Sequence, residues 1–134
     1  MARKSSYTGK YKISKVQLAY VKAYSLQYPE WLDEYNALKD SVKGVNYDGL
    51  PGGKGSVNDA TLNLATKRAE LREKMLKVEH AAHDAGGDIA EFILKSVIFE
   101  DMTFEDMKAI GLPCERTMFY ARRRKYYFLL SKEI

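Results

Sequence analysis

Arginine and tyrosine recur near the C-terminus at a spacing that suits contact with a polyanion. In the stretch TFEDMKAIGLPCERTMFYARRRKYYFLL, Arg116, Tyr120, Arg123 and Tyr127 fall at i, i+4, i+7 and i+11, which is one face of an α-helix. Arg124 flanks that stripe, while Phe119, Tyr126 and Leu130 fall on a neighbouring face suited to packing inward. A helix that turns arginines outward, set behind a shorter helix and a glycine turn, suits the DNA major groove. The same pattern also describes a solvated packing helix, because Arg and Lys stems can cover apolar neighbours.

Other chemistries find less support. His80 and His83 share one helix face with Glu79 and Asp84 close by, but a zinc site usually needs three or four protein ligands. Cys114, the single cysteine, excludes an internal disulfide and fits a reducing cytoplasm. Near a helix start its thiol pKa can fall, yet no base or oxyanion donor accompanies it. Glu100, Asp101, Glu105 and Asp106 are explained by helix capping and the helix dipole. The glycine-rich GVNYDGLPGGKGS resembles a phosphate-binding loop only superficially. Lys54 is followed by glycine rather than Ser or Thr, and no strand precedes it. These features predict no enzyme, no metal and no cofactor.

The elements that must hold the arginine stripe read as helices throughout. Thr103 is the expected N-cap of a short helix that Gly111 ends, and Pro113 is expected in the first turn of the next, over about Cys114 to Ser131. Against the commonest helix-turn-helix spacing, the first helix is about one residue short and the turn about one residue long. Upstream, a half-apolar helix is expected from Ser14 to Tyr28, interrupted at Pro29. A second carries Trp31, Tyr35, Leu38 and Val42 on one face and ends at Gly44. A long helix follows, capped by Ser56 or Asn58 and reaching Asp84, with Val57, Leu64, Leu71, Met75, Val78 and Ala82 as a seam interrupted at Thr61 and Arg68. At about 1.5 Å per residue such a helix spans about 40 Å, so it should form an antiparallel hairpin or a dimer interface. Asp88 is the expected cap of a helix to Phe99, with Ile89, Phe92, Ile93 and Val97 inward.

The expected fold is all-α: a helical hairpin or bundle with a long helix, plus a C-terminal helix-turn-helix. Its divisions are a basic arm over 1–12, a helical packing region over 13–87 with its linker at 44–56, and a DNA-binding module over 88–134. A hydrophobic content of 46% with 30% charged residues favours a folded chain over disorder. No apolar run approaches the roughly 20 residues that span a bilayer, and no signal peptide is evident, so a cytoplasmic location without membrane partner is expected. Charge is segregated. Residues 1–24 hold six Lys/Arg and no acid, and residues 107–134 hold seven against two, whereas residues 88–106 hold one against six. Local positive charge at both ends fits a polyanion partner, although a basic arm can also simply be solvated.

Three stretches resemble the RinA-like and ArpU-like regulators of phages and prophages of low-GC Gram-positive bacteria. They are SLQYPEWLDEYNALKDSV, YDGLPGGKGSVNDATLNLATKRAELREKMLKVEHA and LPCERTMFYARRRKYYFLL. The third is the most telling, because Arg-Thr-x-Phe-Tyr followed by Arg-Arg-Lys and paired aromatics is not generic. The resemblance implies an activator of late phage genes, with a C-terminal module similar to sigma-factor region 4. It places Arg116, Thr117, Tyr120, Arg123 and Arg124 on the recognition helix. Arg116 and Arg123 are then candidates for base edges, since a guanidinium can donate twice to guanine. Glu115 is placed to accept from a cytosine amino group or to complement the dipole. Tyr120, Arg124, Lys125 and Tyr127 are candidates for phosphates, as is Lys108 on the preceding helix. Arg3, Lys4, Lys10 and Lys12 of the arm would add sequence-independent affinity. The implied partners are double-stranded DNA and a second copy of the chain, with host RNA polymerase a further candidate. Two rivals remain: a small-terminase-like DNA-packaging protein, and a phage adaptor that binds a host protein.

Overall fold

Helix-favouring segments separated by glycine and proline yield an all-α chain in the computed structural model, which describes residues 9–44 and 54–134. A 3₁₀ turn at Gly9–Tyr11 precedes α1 (Lys15–Leu26), α2 (Tyr28–Gly44), α3 (Lys54–Gly86), a second 3₁₀ turn (Gly87–Ile89), α4 (Ala90–Ile98), α5 (Phe104–Ala109) and α6 (Arg116–Glu133). No strand element occurs among the described residues. None of the described helices is long and apolar enough to cross a membrane.

Local signals account for most helix ends. Ser14 caps α1 by accepting the Gln17 N–H at 3.1 Å. Pro29 sits in the first turn of α2, where its missing N–H costs nothing, so it restarts the helix. Most of the expected linker, residues 45–53, lies outside the described residues, while Lys54–Ser56 already belong to α3. Ser56 and Asn58 are therefore not its cap. Asp88 does not cap α4 either. Its N-cap position is Ile89, which makes no side-chain capping bond, and Asp88 sits in the 3₁₀ turn 4.0 Å from Arg122. Gly87, at φ +58°, allows the chain to reverse there.

The chain divides into two compact units, 1–28 with 76–134 and 29–75. The smaller is the expected hairpin. Trp31 meets Lys74 and, a turn later, Tyr35 meets Arg68, so residue numbers rise on α2 as they fall on α3; Glu34 also meets Lys67, at 3.4 Å. Arg68, the polar break in the seam, lies 4.4 Å over the Tyr35 ring and donates to its hydroxyl at 3.1 Å.

The larger unit joins the helices expected as a separate module to α1 and the end of α3. Leu18 and Val21 of α1 are buried, as are Val78, Ala81, Ala82 and Ala85 of α3 and Ile93 and Val97 of α4; Phe92 is half-buried. Into this core α6 inserts Phe119, Tyr126, Tyr127 and Leu130. It packs against α1 and α4. The Tyr126 hydroxyl meets Ser25 Oγ at 2.7 Å, and Ser25 donates in turn to the Val21 carbonyl at 2.8 Å. Because the serine proton is committed to Val21, Tyr126 is the donor. Burial pushes its phenol pKa far above the ordinary tyrosine range, which keeps that proton in place. Tyr28 also donates to the Glu79 carboxylate within this unit.

Removing the two ends of the buried bond should have unequal effects. Ser25→Ala leaves a fully buried phenol without a partner and should cost about 2 kcal/mol, whereas Tyr126→Phe leaves Ser25 bonded to Val21 and should cost about 1 kcal/mol. Urea unfolding of both variants checks the order.

Candidate nucleic-acid interface

The candidate site is built by α5, the connection after it and the first half of α6. Thr103 and Asp106 form a reciprocal capping box at the start of α5. The Thr103 hydroxyl accepts the Asp106 N–H at 3.1 Å, and the Asp106 carboxylate accepts the Thr103 N–H at 3.0 Å. At the other end Gly111 adopts φ +107°. Its N–H bonds the Lys108 carbonyl at 3.1 Å and the Leu112 N–H bonds the Met107 carbonyl at 3.0 Å. These two bonds define a Schellman cap, with Met107 and Leu112 as its buried apolar pair.

The connection is longer than expected. α6 begins at Arg116 with Glu115 as N-cap, so Pro113 and Cys114 precede the helix rather than open it. Lys108 Nζ donates to the carbonyls of Leu112 at 3.1 Å and Cys114 at 3.3 Å, which ties this length of chain back to α5. The candidate phosphate contact Lys108 is thereby a staple of the turn. A second fastening comes from Arg116, whose guanidinium donates to Glu105 at 2.6 Å and lies 4.6 Å over the Phe104 ring. Phe104 packs against Phe119 and Tyr120 at 5.7 and 6.3 Å between centroids. Arg116, a candidate for a base edge, thus clamps α5 onto α6. Its hydrogen bond is the main reason that the Glu105 carboxyl is held below the usual glutamate range.

The rotation of α6 differs from the stripe expected in the sequence. Tyr127 is 2% exposed and belongs to the core, so its expected place on the outward, phosphate-facing stripe is corrected. Its ring makes an edge contact with Tyr126 at 5.2 Å between centroids and lies beneath two cations, Lys22 at 5.9 Å and Arg123 at 5.7 Å. Arg123 also lies 5.6 Å from Tyr120. It lines a crevice of about 220 Å³ between α1, α4 and α6 that also holds Leu26, Ser96 and Glu100. Arg122, not among the expected site residues, donates to the Gly86 carbonyl at 2.6 Å and closes the end of α3. Consecutive residues step about 100° around a helix, so Arg122, Arg123 and Arg124 together cover about 200°. Two of the three must flank the core. The signal that could have identified them is the position of Phe119, Tyr126 and Leu130, which fixes the inward direction.

Opposite that core lie Thr117, Ala121, Arg124 and Lys125, with Met118 and Glu115 at the edges. Thr117, Met118 and Glu115 are exposed, and Ala121, Arg124 and Lys125 are half-buried. Further along the same side the face is covered, because Tyr11 of the first 3₁₀ turn stacks edge-on against Phe128 at 5.5 Å. The open part of the face is therefore its first half, about 12 Å from Thr117 to Lys125 at 1.5 Å per residue. The arm residues Arg3 and Lys4 lie outside the described residues. Among the described residues no three His, Cys, Asp or Glu side chains are grouped to hold a metal ion. His80 and His83 are both exposed, and His83 lies 3.5 Å from Asp84.

Two outcomes test this geometry. Gly111→Ala meets no atom within 4 Å of its new Cβ, so its cost is backbone strain alone, about 1–3 kcal/mol in urea unfolding. Glu105, with its pKa depressed in the folded chain, favours folding above the ordinary glutamate range and loses that contribution as pH falls through the depressed value. A carboxyl NMR titration should find its midpoint below that of an ordinary glutamate, and Arg116→Ala should return it upward. An unchanged midpoint in Arg116→Ala would refute the clamp. No family model, curated protein or solved structure matches this chain.

Proposed function

We propose that this chain binds double-stranded DNA by laying the first half of α6 in the major groove. The observation that carries the reading is the combination of a capped α5, a Schellman turn at Gly111 and an α6 whose aromatic face is buried. Together these leave Thr117, Met118, Ala121, Arg124 and Lys125 as an open face about 12 Å long. A helix with its side chains is about 10–12 Å across, which suits the roughly 12 Å width of the major groove. Thr117 and Arg124 are the residues assigned to base edges, because both lie on the side opposite the buried aromatics and carry hydrogen-bond donors. Lys125, at the end of the open face, suits phosphate at the groove wall. Glu115 and Met118 border the face at the N-terminal turn, where recognition helices usually approach the bases.

Arg116 and Arg123 then act differently from a direct base reader. Arg116 holds the angle between α5 and α6 through Glu105 and Phe104, and Arg123 lies against Tyr120 and Tyr127 on the core side. The resemblance to RinA-like and ArpU-like regulators supplies the biological setting: a phage-encoded transcriptional regulator, with activation of late genes as its role. In that setting a dimer would pair two half-sites, and RNA polymerase would be the second partner.

Fluorescence anisotropy with labelled duplexes from the chain's own genomic neighbourhood, at two salt concentrations and against random competitor, tests the reading. One fragment should survive competitor and salt. Arg124→Ala should weaken that fragment's binding by about 1–3 kcal/mol with thermal stability retained, while Lys95→Ala on α4 should leave it unchanged. Equal loss on every fragment, or no loss in Arg124→Ala, would overturn it.

A further inference from the structure

Resting on the DNA-binding reading, we infer that Lys10, Lys125 and Lys132 form a second contact for the DNA backbone, a phosphate patch assembled around the Tyr11–Phe128 pair. These residues come from opposite ends of the chain. The 3₁₀ turn Gly9–Tyr11 packs on α6, which sets the Tyr11 ring 5.5 Å from Phe128. Lys10 lies 5.6 Å from the Tyr11 ring and Lys125 lies 5.8 Å from the same ring. Lys132 lies 5.0 Å from the Phe128 ring. Two packed aromatic rings thus carry three ammonium groups.

The electrostatics of this arrangement favour an anion. Among the described residues none of the three lysines has a carboxylate within 4.0 Å. The ring faces attract each cation, worth about 0.5–1 kcal/mol at exposed sites, but they leave its charge unneutralised. Like charges gathered without counter-ions raise the local potential and draw in a polyanion. The nearest acids do not cancel it. Asp84 borders the depression of Tyr11, Arg122 and Lys125 and, with Glu133, the one beside Lys132, but neither carboxylate comes within 4.0 Å of a patch lysine. Arg122 is itself committed to the Gly86 carbonyl and stands outside the patch.

Position along α6 assigns the patch to the backbone rather than to the bases. Lys125 and Lys132 lie about 12 and 22 Å beyond Thr117 at 1.5 Å per residue. With the N-terminal turn at Thr117 set against the bases, Lys125 and Lys132 lie progressively farther from them, and Tyr11 on Phe128 carries Lys10 to the same outer half. Tyr11 also blocks deeper insertion of this half of the helix. The patch therefore adds affinity without sequence preference, and it does so from one side of the groove only.

The test is the salt dependence of binding to a random-sequence duplex by the full chain and by K10Q/K125Q/K132Q. Loss of three phosphate contacts should make the slope of log K against log salt shallower by about 2–3. K10R/K125R/K132R should keep the original slope, which separates charge from packing. The preference for a specific fragment should persist in the glutamine variant, because Thr117 and Arg124 are untouched. A slope unchanged in the glutamine variant, with the unaltered chain binding duplex, would overturn the patch alone. Failure of the unaltered chain to bind any duplex would overturn both the patch and the reading on which it rests.

Discussion

The rotation of α6 about its own axis decides which of its residues enter the core and which face outward. That rotation is set by packing. Phe119, Tyr126, Tyr127 and Leu130 occupy the core, and the bond from Tyr126 to Ser25 gives the contact a direction as well as an area. A turn of the helix by one residue position, in one direction, would bring Lys125 into the buried place of Tyr126, at the cost of a desolvated charge. The aromatic face is thus what assigns the three consecutive arginines to three different environments. Arg122 closes the end of α3, Arg123 covers Tyr127, and Arg124 lies half-buried on the side opposite the core.

Fixing the rotation would be of little use if α5 and the connection were loose. A six-residue α5 cannot be stable by itself, since helices so short do not repay nucleation. It is held by its ends. The capping box satisfies donors at Thr103, the Schellman bonds satisfy acceptors at Met107 and Lys108, and the Lys108 ammonium collects two further carbonyls. Arg116 then joins α5 to α6 across Phe104. Three cations of the C-terminal segment, Lys108, Arg116 and Arg122, are in this way spent on geometry. A basic segment reads as a ligand surface only after such residues are set aside.

Much of this was legible in the sequence, and the parts that were not have physical reasons. The all-α fold, the cap at Thr103 and the stop at Gly111 each follow from local chemistry that acts over a turn or less, whereas the apolar seam of α3 fitted a hairpin or a dimer interface equally well. The inward positions of Phe119, Tyr126 and Leu130 follow from helical periodicity. Tyr127 was misplaced because tyrosine is amphipathic, so a Tyr between arginines fits an outward stripe as well as a core edge. Asp88 looked like a cap, but the chain turns at Gly87 through a 3₁₀ turn and leaves the N-cap position to Ile89. The carbonyl of Gly86 that claims Arg122 lies 36 residues away, beyond any local pattern. The convergence of Lys10 with Lys125 is of the same kind. Only the tertiary fold brings Tyr11 to Phe128.

On the reading proposed above, DNA meets the outward half-face of α6. Amide chemical shifts of the isotope-labelled chain, followed as a bound duplex is titrated in, address it residue by residue. The expected result is perturbation concentrated at Thr117, Met118, Ala121, Arg124 and Lys125, with Val16 and Tyr20 of α1 unmoved. Perturbation centred instead on the exposed side of α1, or on the crevice beside Arg123 and Glu100, would contradict it.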